Sequence, residues 1–439
     1  MQVKINRFTL RELAPEARRQ VMVRAQGDFA SVEERTREII ENVRARGDEA
    51  LLEYTERFDG AKLDASRLLV TPEEFDEAER LVEPALKTAI EQAVANVRRH
   101  HRAQLPPPSW MEEFQPGVIS GERVVPIASA GLYVPRGKGS FPSVMMMLAV
   151  PAVLAEVPHI AVCTPPGPDG TIDAATLVTA RLCGVERIFK MGGAQAVAAF
   201  AFGTESVDRV DKIVGPGNQY VSAAKRLLYG QIDPGLPAGP SESIVLCDGH
   251  ADPEVAAREL LVEAEHGPDS AALLVTDSTA LADQVEQLIP GLLAKLPEKR
   301  REFCESVLAG YGGIVIAEDL DDSIAFTNDY APEHLRVLVQ QPFEILSRLV
   351  NAGEVLLGEN TSIAFGNFAI GLNAILPTGG GARSHSCVGI EEFVKRSSFA
   401  YVTDQGARTL GPIAIELAKY EGFPGHREAA QYIYDRTTK

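Results

Sequence analysis

The sequence predicts an α/β protein: two Rossmann-like αβ domains, a helical N-terminal segment and a C-terminal helical arm. Three observations predict it. A chain of 439 residues is longer than one hydrophobic core usually organises. From residue 121 onward, short β-branched runs alternate with helical windows, the pattern of parallel αβ layering. A second series of the same kind follows the first. No strand runs into a G-x-G-x-x-G turn, so the domains lack the usual dinucleotide fingerprint and are incomplete in that respect.

Residues 1–120 read as the helical segment and the start of the αβ core. Within 33–58, Ile39, Ile40, Val43, Leu51 and Leu52 fall near helical spacing, and 73–100 repeats the pattern with many charges. His100 and His101 lie in the basic stretch 98–102 and read as a solvated helix end. Residues 121–240 form the first αβ domain, with strands predicted at 131–135, 159–164, 187–191 and 212–214. Helical windows lie at 143–156, 174–182, 194–202 and 219–229. Residues 241–385 form the second, with strands at 243–247, 272–276, 313–317, 334–339 and 354–357. The arm, 386–439, reads as helix, a break at 422–425 and another helix.

Composition excludes several functions. Hydrophobic content of 45% with 24% charged residues suits a globular protein. The longest apolar run, 144–157, is broken by Pro151 and Glu156, so no membrane span is expected. The N-terminus lacks a basic region followed by an apolar core, and the sequence reads as cytoplasmic. A net charge of -18 repels nucleic acid, and no basic stripe with aromatics is present. Five dispersed cysteines suit a reducing compartment and read as buried small residues.

Glycine-rich turns follow three predicted strands: Gly131-Leu-Tyr-Val-Pro135 with Gly137 and Lys138, Gly192-Gly-Ala-Gln195, and Gly215-Pro-Gly-Asn218. Each precedes a helix, where backbone N–H groups can meet an anion. Singly, each is a tight turn needing positive φ. Three in successive units point to one shared cleft.

Titratable residues cluster elsewhere. Glu263 and His266 stand three apart on one helical face, just before Gly267-Pro268, and offer an oxygen and a nitrogen to one cation. In Ala331-Pro-Glu-His-Leu335 a carboxylate and an imidazole sit at a strand mouth, where imidazole can take a proton and carboxylate can activate water. Glu421-Gly-Phe-Pro-Gly-His426 places another such pair around a turn. Alone, each of these is unremarkable.

Together the motifs resemble the histidinol dehydrogenase family over essentially the whole chain. To those already quoted are added Lys190-Met-Gly-Gly-Ala-Gln-Ala196, Val210-Asp-Lys-Ile-Val-Gly-Pro-Gly-Asn218, Pro237-Ala-Gly-Pro-Ser-Glu242, Ala264-Glu-His-Gly-Pro-Asp-Ser270, Leu376-Pro-Thr-Gly-Gly380 and Phe393-Val-Lys-Arg396. The resemblance implies a homodimer with a shared site, an NAD cofactor, and a zinc ion that holds the substrate. It implies two successive oxidations, alcohol to aldehyde to acid. His334 would be the base, and Glu333 would activate the attacking water. Tyr133, Gln195 and Asn218 match cofactor contacts; Ser241, Glu421 and His426 match positions facing substrate or metal, the last two from the partner's arm.

The chain also departs from the family. Its metal shell aligns as Glu263, His266, Asn367 and His426, where the family has Gln, His, Asp and His. The two exchanges cancel in charge, and each side chain still presents an oxygen. Phe368 replaces a Tyr and Ala374 a substrate-facing His within Asn373-Ala-Ile-Leu-Pro-Thr378. Losing both polar partners makes histidinol a poorer fit, at roughly 1–3 kcal/mol for each unpaired buried group. Arg136 and His385 could supply other polar contacts or be surface decoration. The sequence therefore leaves open histidinol itself, another small polar alcohol such as a diol or hydroxy sulfonate, and a silent nucleotide or metabolite binder. Retention of Glu333 and His334 favours chemistry.

Overall fold

The computed structural model describes residues 3–24, 29–136 and 139–439, without the side chains of 29–31. They form two compact units, Met1–Gln104 with Ala128–Glu392, and Leu105–Ile127 with Phe393–Lys439. In chain order the strands are β1 (Arg7–Thr9), β2 (Ser109–Gln115), β3 (Val118–Pro126), β4 (Ser129–Tyr133), β5 (His159–Thr164), β6 (Ile188–Lys190), β7 (Lys212–Val214), β8 (Glu242–Cys247), β9 (Ala271–Thr276), β10 (Gly313–Ile316), β11 (His334–Leu338), β12 (Glu354–Leu357) and β13 (Val394–Val402).

The first unit holds two parallel sheets, ordered β6-β5-β4-β7 and β1-β10-β9-β8-β11-β12. β8, β9 and β11 are buried along their whole length, as strands covered by helices on both faces must be. In the four-stranded sheet the chain starts at the interior strand β4 and winds outward both ways; in the six-stranded sheet β8 to β12 do the same from β8, while β1 is added at the edge beside β10. The direction of winding reverses between β4 and β7 and between β8 and β11.

The sequence divides these sheets into two domains, yet they share one unit. Residues 369–373 make ties within it to the helices Pro84–Arg102 and Pro142–Leu154. Asn96, on the helix Pro84–Arg102, donates to Ala369 O at 2.8 Å, and Asn373 donates to Met147 O at 2.7 Å. Asn373 also meets His101 Nε2 at 3.2 Å. His101 is thus fully buried, not part of a solvated helix end; its Nδ1 lies 2.8 Å from Val97 O, and burial keeps it below the ordinary imidazole range. A side-chain bond to its own helix let this imidazole turn inward where the charge pattern around it pointed outward.

The N-terminal segment is helical but interrupted. Phe29–Arg46 and Asp48–Asp59 part at Gly47, at φ +53°, where a side chain would collide with the Glu205 carboxylate. That carboxylate accepts from Asp48 N at 2.8 Å. Likewise Pro72–Leu81 ends before Pro84 begins the next helix, because proline restricts the residue before it and cannot continue a helix. β1, which pairs with β10, is a strand within the stretch expected to be helical.

The second unit is an antiparallel sheet ordered β13-β3-β2 with the helices Asp404–Tyr420 and Pro424–Thr438. The two helices and the break between them, with Gly422 at φ +75°, lie where the sequence puts them. The sheet does not: residues 105–127 and 394–402 belong to it, not to the helical segment and helical arm. β2 and most of β13 are exposed on both faces, so neither carries the alternation that betrays a half-buried strand. Among the described residues no helix is long and apolar enough to cross a membrane.

One buried ion pair ties β11 to the helices Pro253–Ala264 and Ile363–Phe368. Arg336, wholly buried on β11, places Nε 3.5 Å from Glu259 Oε2 and donates to Leu356 O and Glu359 O. Glu259 Oε2 also accepts from Ile363 N at 2.9 Å, at the start of the helix Ile363–Phe368. Breaking a buried pair from one side strands a charge. Glu259→Ala is expected to lower stability by about 3–5 kcal/mol in urea unfolding, and adding Arg336→Met should recover part of that loss.

Candidate active site

The expected cofactor residues gather at the carboxyl ends of β4, β6 and β7. Tyr133 ends β4, is buried, and its hydroxyl accepts from Gly193 N at 2.9 Å; burial raises its pKa. Gly215 follows β7 at φ +131°, where a side chain would strike the Tyr133 carbonyl. Asn218 caps the helix Gln219–Leu227, accepting from Tyr220 N and Val221 N at 3.0 and 3.2 Å. From that helix Lys225, pushed down by burial to about 8, donates to Gly215 O at 2.9 Å. Gln195 is 1% exposed, and both atoms of its amide lack a hydrogen-bond partner among the described residues. An unpaired buried amide is costly, so this one fits a bound molecule with polar edges. Gly137 and Lys138 lie outside the described residues. Arg136 is exposed and acts electrostatically on Asp59 and Asp169.

The second cluster forms at the amino ends of β8, β11 and β12. The helix Pro253–Ala264 brings Glu263, 1% exposed, and His266 just past its end. His266 Nδ1 lies 2.9 Å from Glu263 Oε2, and Asn367 Nδ2 donates to Glu263 Oε1 at 3.3 Å. His334 opens β11, with Nε2 3.8 Å from Glu263 Oε1 and 3.8 Å from Glu333 Oε1. Its Nδ1 is 2.6 Å from Glu354 Oε1. Glu333 Oε2 accepts from Glu242 N at 2.8 Å. Glu242 Oε1 in turn accepts from Gly379 N at 2.7 Å and pairs with Arg24 Nε at 2.9 Å, while the Arg24 guanidinium lies 3.9 Å over the Tyr330 ring.

The electrostatics follow from this crowding. Burial drives Glu333 up to about 8; the His334 charge opposes that and Glu263 reinforces it. Burial works against a charge on His334, but Glu263, Glu333 and Glu354 outweigh it and lift the imidazole to about 10. Glu263, which burial would raise, is held at about 2 by His334 and His266. Burial raises Glu242, with Arg24 opposing.

Glu263, His266 and Asn367 are thus brought together beside Glu333 and His334. Among the described residues no three His, Cys, Asp or Glu side chains are grouped as a metal centre; this set supplies one carboxylate, one imidazole and an amide. It nevertheless fits a cation. Asn367 Oδ1 is buried without a partner among the described residues, and an oxygen, a nitrogen and a carboxylate are donors zinc accepts, with a position left for a fourth. Ser241 lies at the entry to β8, half-buried, and its carbonyl accepts from Ala271 N at 2.9 Å. Ala374 is half-buried with its N–H on Met147 Sδ at 3.4 Å. Phe368 is 62% exposed. His385 is exposed, beside Ser384 Oγ. Glu421 and His426 belong to the second unit, exposed on either side of the helix break. Sequence reasoning missed Glu354 and Arg24. Glu354 shows in the sequence only as one charge before an apolar strand, and Arg24 as one arginine among many.

Comparison with known proteins places the molecule among the α/β oxidoreductases. The sequence model of histidinol dehydrogenase matches residues 22–433. The chain is 49% identical over 417 residues to "Histidinol dehydrogenase" of Synechocystis sp., covering 95% of this chain and 96% of that one. It is 50% identical over 439 residues to "Histidinol dehydrogenase homolog" of Cereibacter sphaeroides, covering all of both. The crystal structure of histidinol dehydrogenase from Elizabethkingia anophelis superposes with a TM-score of 0.92 at 33% identity over 99% of each chain. The chain belongs to the histidinol dehydrogenase family.

Asp59, at the end of the 48–59 helix, has a buried Oδ2 without a partner among the described residues; burial lifts it to about 6, and Arg136 opposes the rise. Its folded value lies above its ordinary one, so its contribution to stability is full below about 4 and is lost as pH rises through about 6. Asp59→Asn is therefore expected to raise the thermal midpoint at pH 8 and to leave it nearly unchanged at pH 4, read by differential scanning calorimetry.

Proposed function

We propose that the chain is an NAD-linked, zinc-dependent dehydrogenase that oxidises histidinol, or a related small polar alcohol, to the aldehyde and on to the acid. The observation that carries this reading is the buried trio Glu333, His334 and Glu263, with the half-buried His266 and Asn367 against Glu263. We read the two parallel sheets as Rossmann-like halves, the first taking the cofactor at Tyr133, Gln195 and Asn218. Glu263, His266 and Asn367 would hold zinc. The fourth ligand, His426, and the substrate contact Glu421 would come from the other copy of a homodimer, whose C-terminal arm carries both. When bound, NAD accepts the hydride, and zinc holds the substrate and offsets the Glu263 charge that keeps a proton on His334.

The chain's own residues account for the proton transfers. His334 Nε2 takes the hydroxyl proton as the carbinol carbon gives up its hydride, leaving an aldehyde. Glu333, anchored by Glu242 N, then takes a proton from the water that attacks the aldehyde carbon. The resulting hydrate, left as the anion once Glu333 holds the proton, would give its hydride to a second NAD taken up in place of the first and yield the acid. Ser241 lies at the entry to β8, where substrate would meet both groups.

A second reading, another polar alcohol in place of histidinol, is favoured by one observation. Ala374 and Phe368 offer neither the imidazole nor the hydroxyl that the resemblance leads one to expect, and the backbone of Ala374 meets a thioether. A relative identical at 50% of positions carries the word "homolog" in its name. Reduced-nicotinamide absorbance with L-histidinol, diols, amino alcohols and hydroxy sulfonates decides between them. Strong turnover of histidinol removes the second reading; NAD binding without turnover of any alcohol removes both. His334→Ala is expected to abolish the first oxidation, by about 10³-fold or more in kcat. Glu333→Gln should spare aldehyde formation while slowing acid formation by about 10²-fold. Equal loss of both steps in Glu333→Gln would contradict the division of roles.

A further inference from the structure

We propose that Glu354 is a positioning residue that fixes which nitrogen of His334 faces the site. This rests on reading His334 as the base. The sheet itself makes the pairing: β11 and β12 run parallel with His334 in register with Glu354, so the two side chains leave the sheet on one face. Glu354 Oε1 lies 2.6 Å from His334 Nδ1, with both residues buried. Room for the carboxylate comes from Gly366, where a Cβ would stand 3.3 Å from both Glu354 oxygens. The second oxygen, Oε2, is buried without a hydrogen-bond partner, which leaves the imidazole as the carboxylate's side-chain partner among the described residues.

The chemical consequence is tautomeric. A neutral imidazole carries one N–H. An ionised carboxylate can only accept, so Nδ1 must be the donor and the lone pair must sit on Nε2. Nε2 is the nitrogen turned toward Glu333 and Glu263, the edge from which a substrate hydroxyl would be reached. A ring flip would set a C–H against Glu354 and remove the lone pair from the site. Carboxylates that hold a base imidazole in this way matter greatly elsewhere: supplying the wrong tautomer costs a serine protease about 10⁴-fold in kcat.

The test is nitrogen NMR on the full-length, zinc-loaded protein labelled with ¹⁵N-histidine, with His334 assigned by its loss in His334→Gln. The wild type should show a strongly hydrogen-bonded, downfield Nδ1 proton on His334. In Glu354→Gln that proton should move upfield, and kcat should fall by about 10²-fold with KM within about threefold. Formate should restore at least part of the kcat lost in Glu354→Ala. A wild-type Nδ1 without that hydrogen bond overturns the proposal, as does kcat within twofold of wild type in Glu354→Gln, or a loss confined to KM. If Glu354→Ala does not fold, the wild-type spectrum and Glu354→Gln still decide. Failure to oxidise any alcohol would sink the dehydrogenase reading, and the spectra would then decide the contact by themselves.

Discussion

Four carboxylates, Glu242, Glu263, Glu333 and Glu354, are buried around the single imidazole of His334, and their charge balance is the constraint on which this end of the molecule depends. A buried carboxylate without compensation is costly, so each has a dedicated partner. Glu263 faces His266 and Asn367, Glu333 accepts from the backbone at Glu242, and Glu354 faces Nδ1 of His334. Glu242 is met by Arg24 and by Gly379 N–H. The carboxylates and their partners together come from β8, β11, β12, residues 263–266, the 363–368 helix, the loop after Leu376, and Arg24. Compensation of charge therefore sets the mutual placement of elements that packing alone would leave free to slide.

The two parallel sheets present their functional residues at opposite ends. In the sheet containing β4, the glycine turns, Tyr133, Gln195 and Asn218 lie beyond the carboxyl ends of the strands, where the winding reverses, the usual place for a ligand in an open α/β sheet. In the sheet containing β8, the titratable cluster lies at the amino ends. The helix leading away from β8 runs back across the sheet, so its last turn, with Glu263, arrives beside the first residues of β11 and β12. A helix of twelve residues is long enough, at about 1.5 Å per residue, to cover the length of its strand and return.

Much of this was legible in the sequence. The nine αβ-core strands β4 to β12 fall where β-branched runs stand, because strands buried on both faces leave continuous apolar segments. Glu263, His266, Glu333 and His334 could be named from motif spacing, and the structure brings all four together. Other features were not legible, each for its own reason. β2 and β13 expose both faces and carry no periodicity. His101 looks like one charge among several until Asn373, remote in sequence, is seen against it. Glu354 gains meaning only through the β11–β12 register, a long-range pairing that no local window contains. The breaks at Gly47 and Pro84 depended on Glu205 and on proline's effect on its predecessor, which a periodicity count passes over.

The second unit is assembled from two stretches of chain, one on each side of the Ala128–Glu392 part of the first unit. Its central strand, β3, has β2 beside it in the chain, but its other neighbour is β13, after Phe393. On a ribosome the hairpin therefore emerges early with one edge of hydrogen-bonding groups unpaired, and waits until both parallel sheets have been synthesised. Such an edge invites pairing with other chains. The order of synthesis thus makes the last part of the polypeptide the one that closes the earliest unsatisfied edge, and truncation near the C-terminus would leave a sticky strand behind in an otherwise finished core.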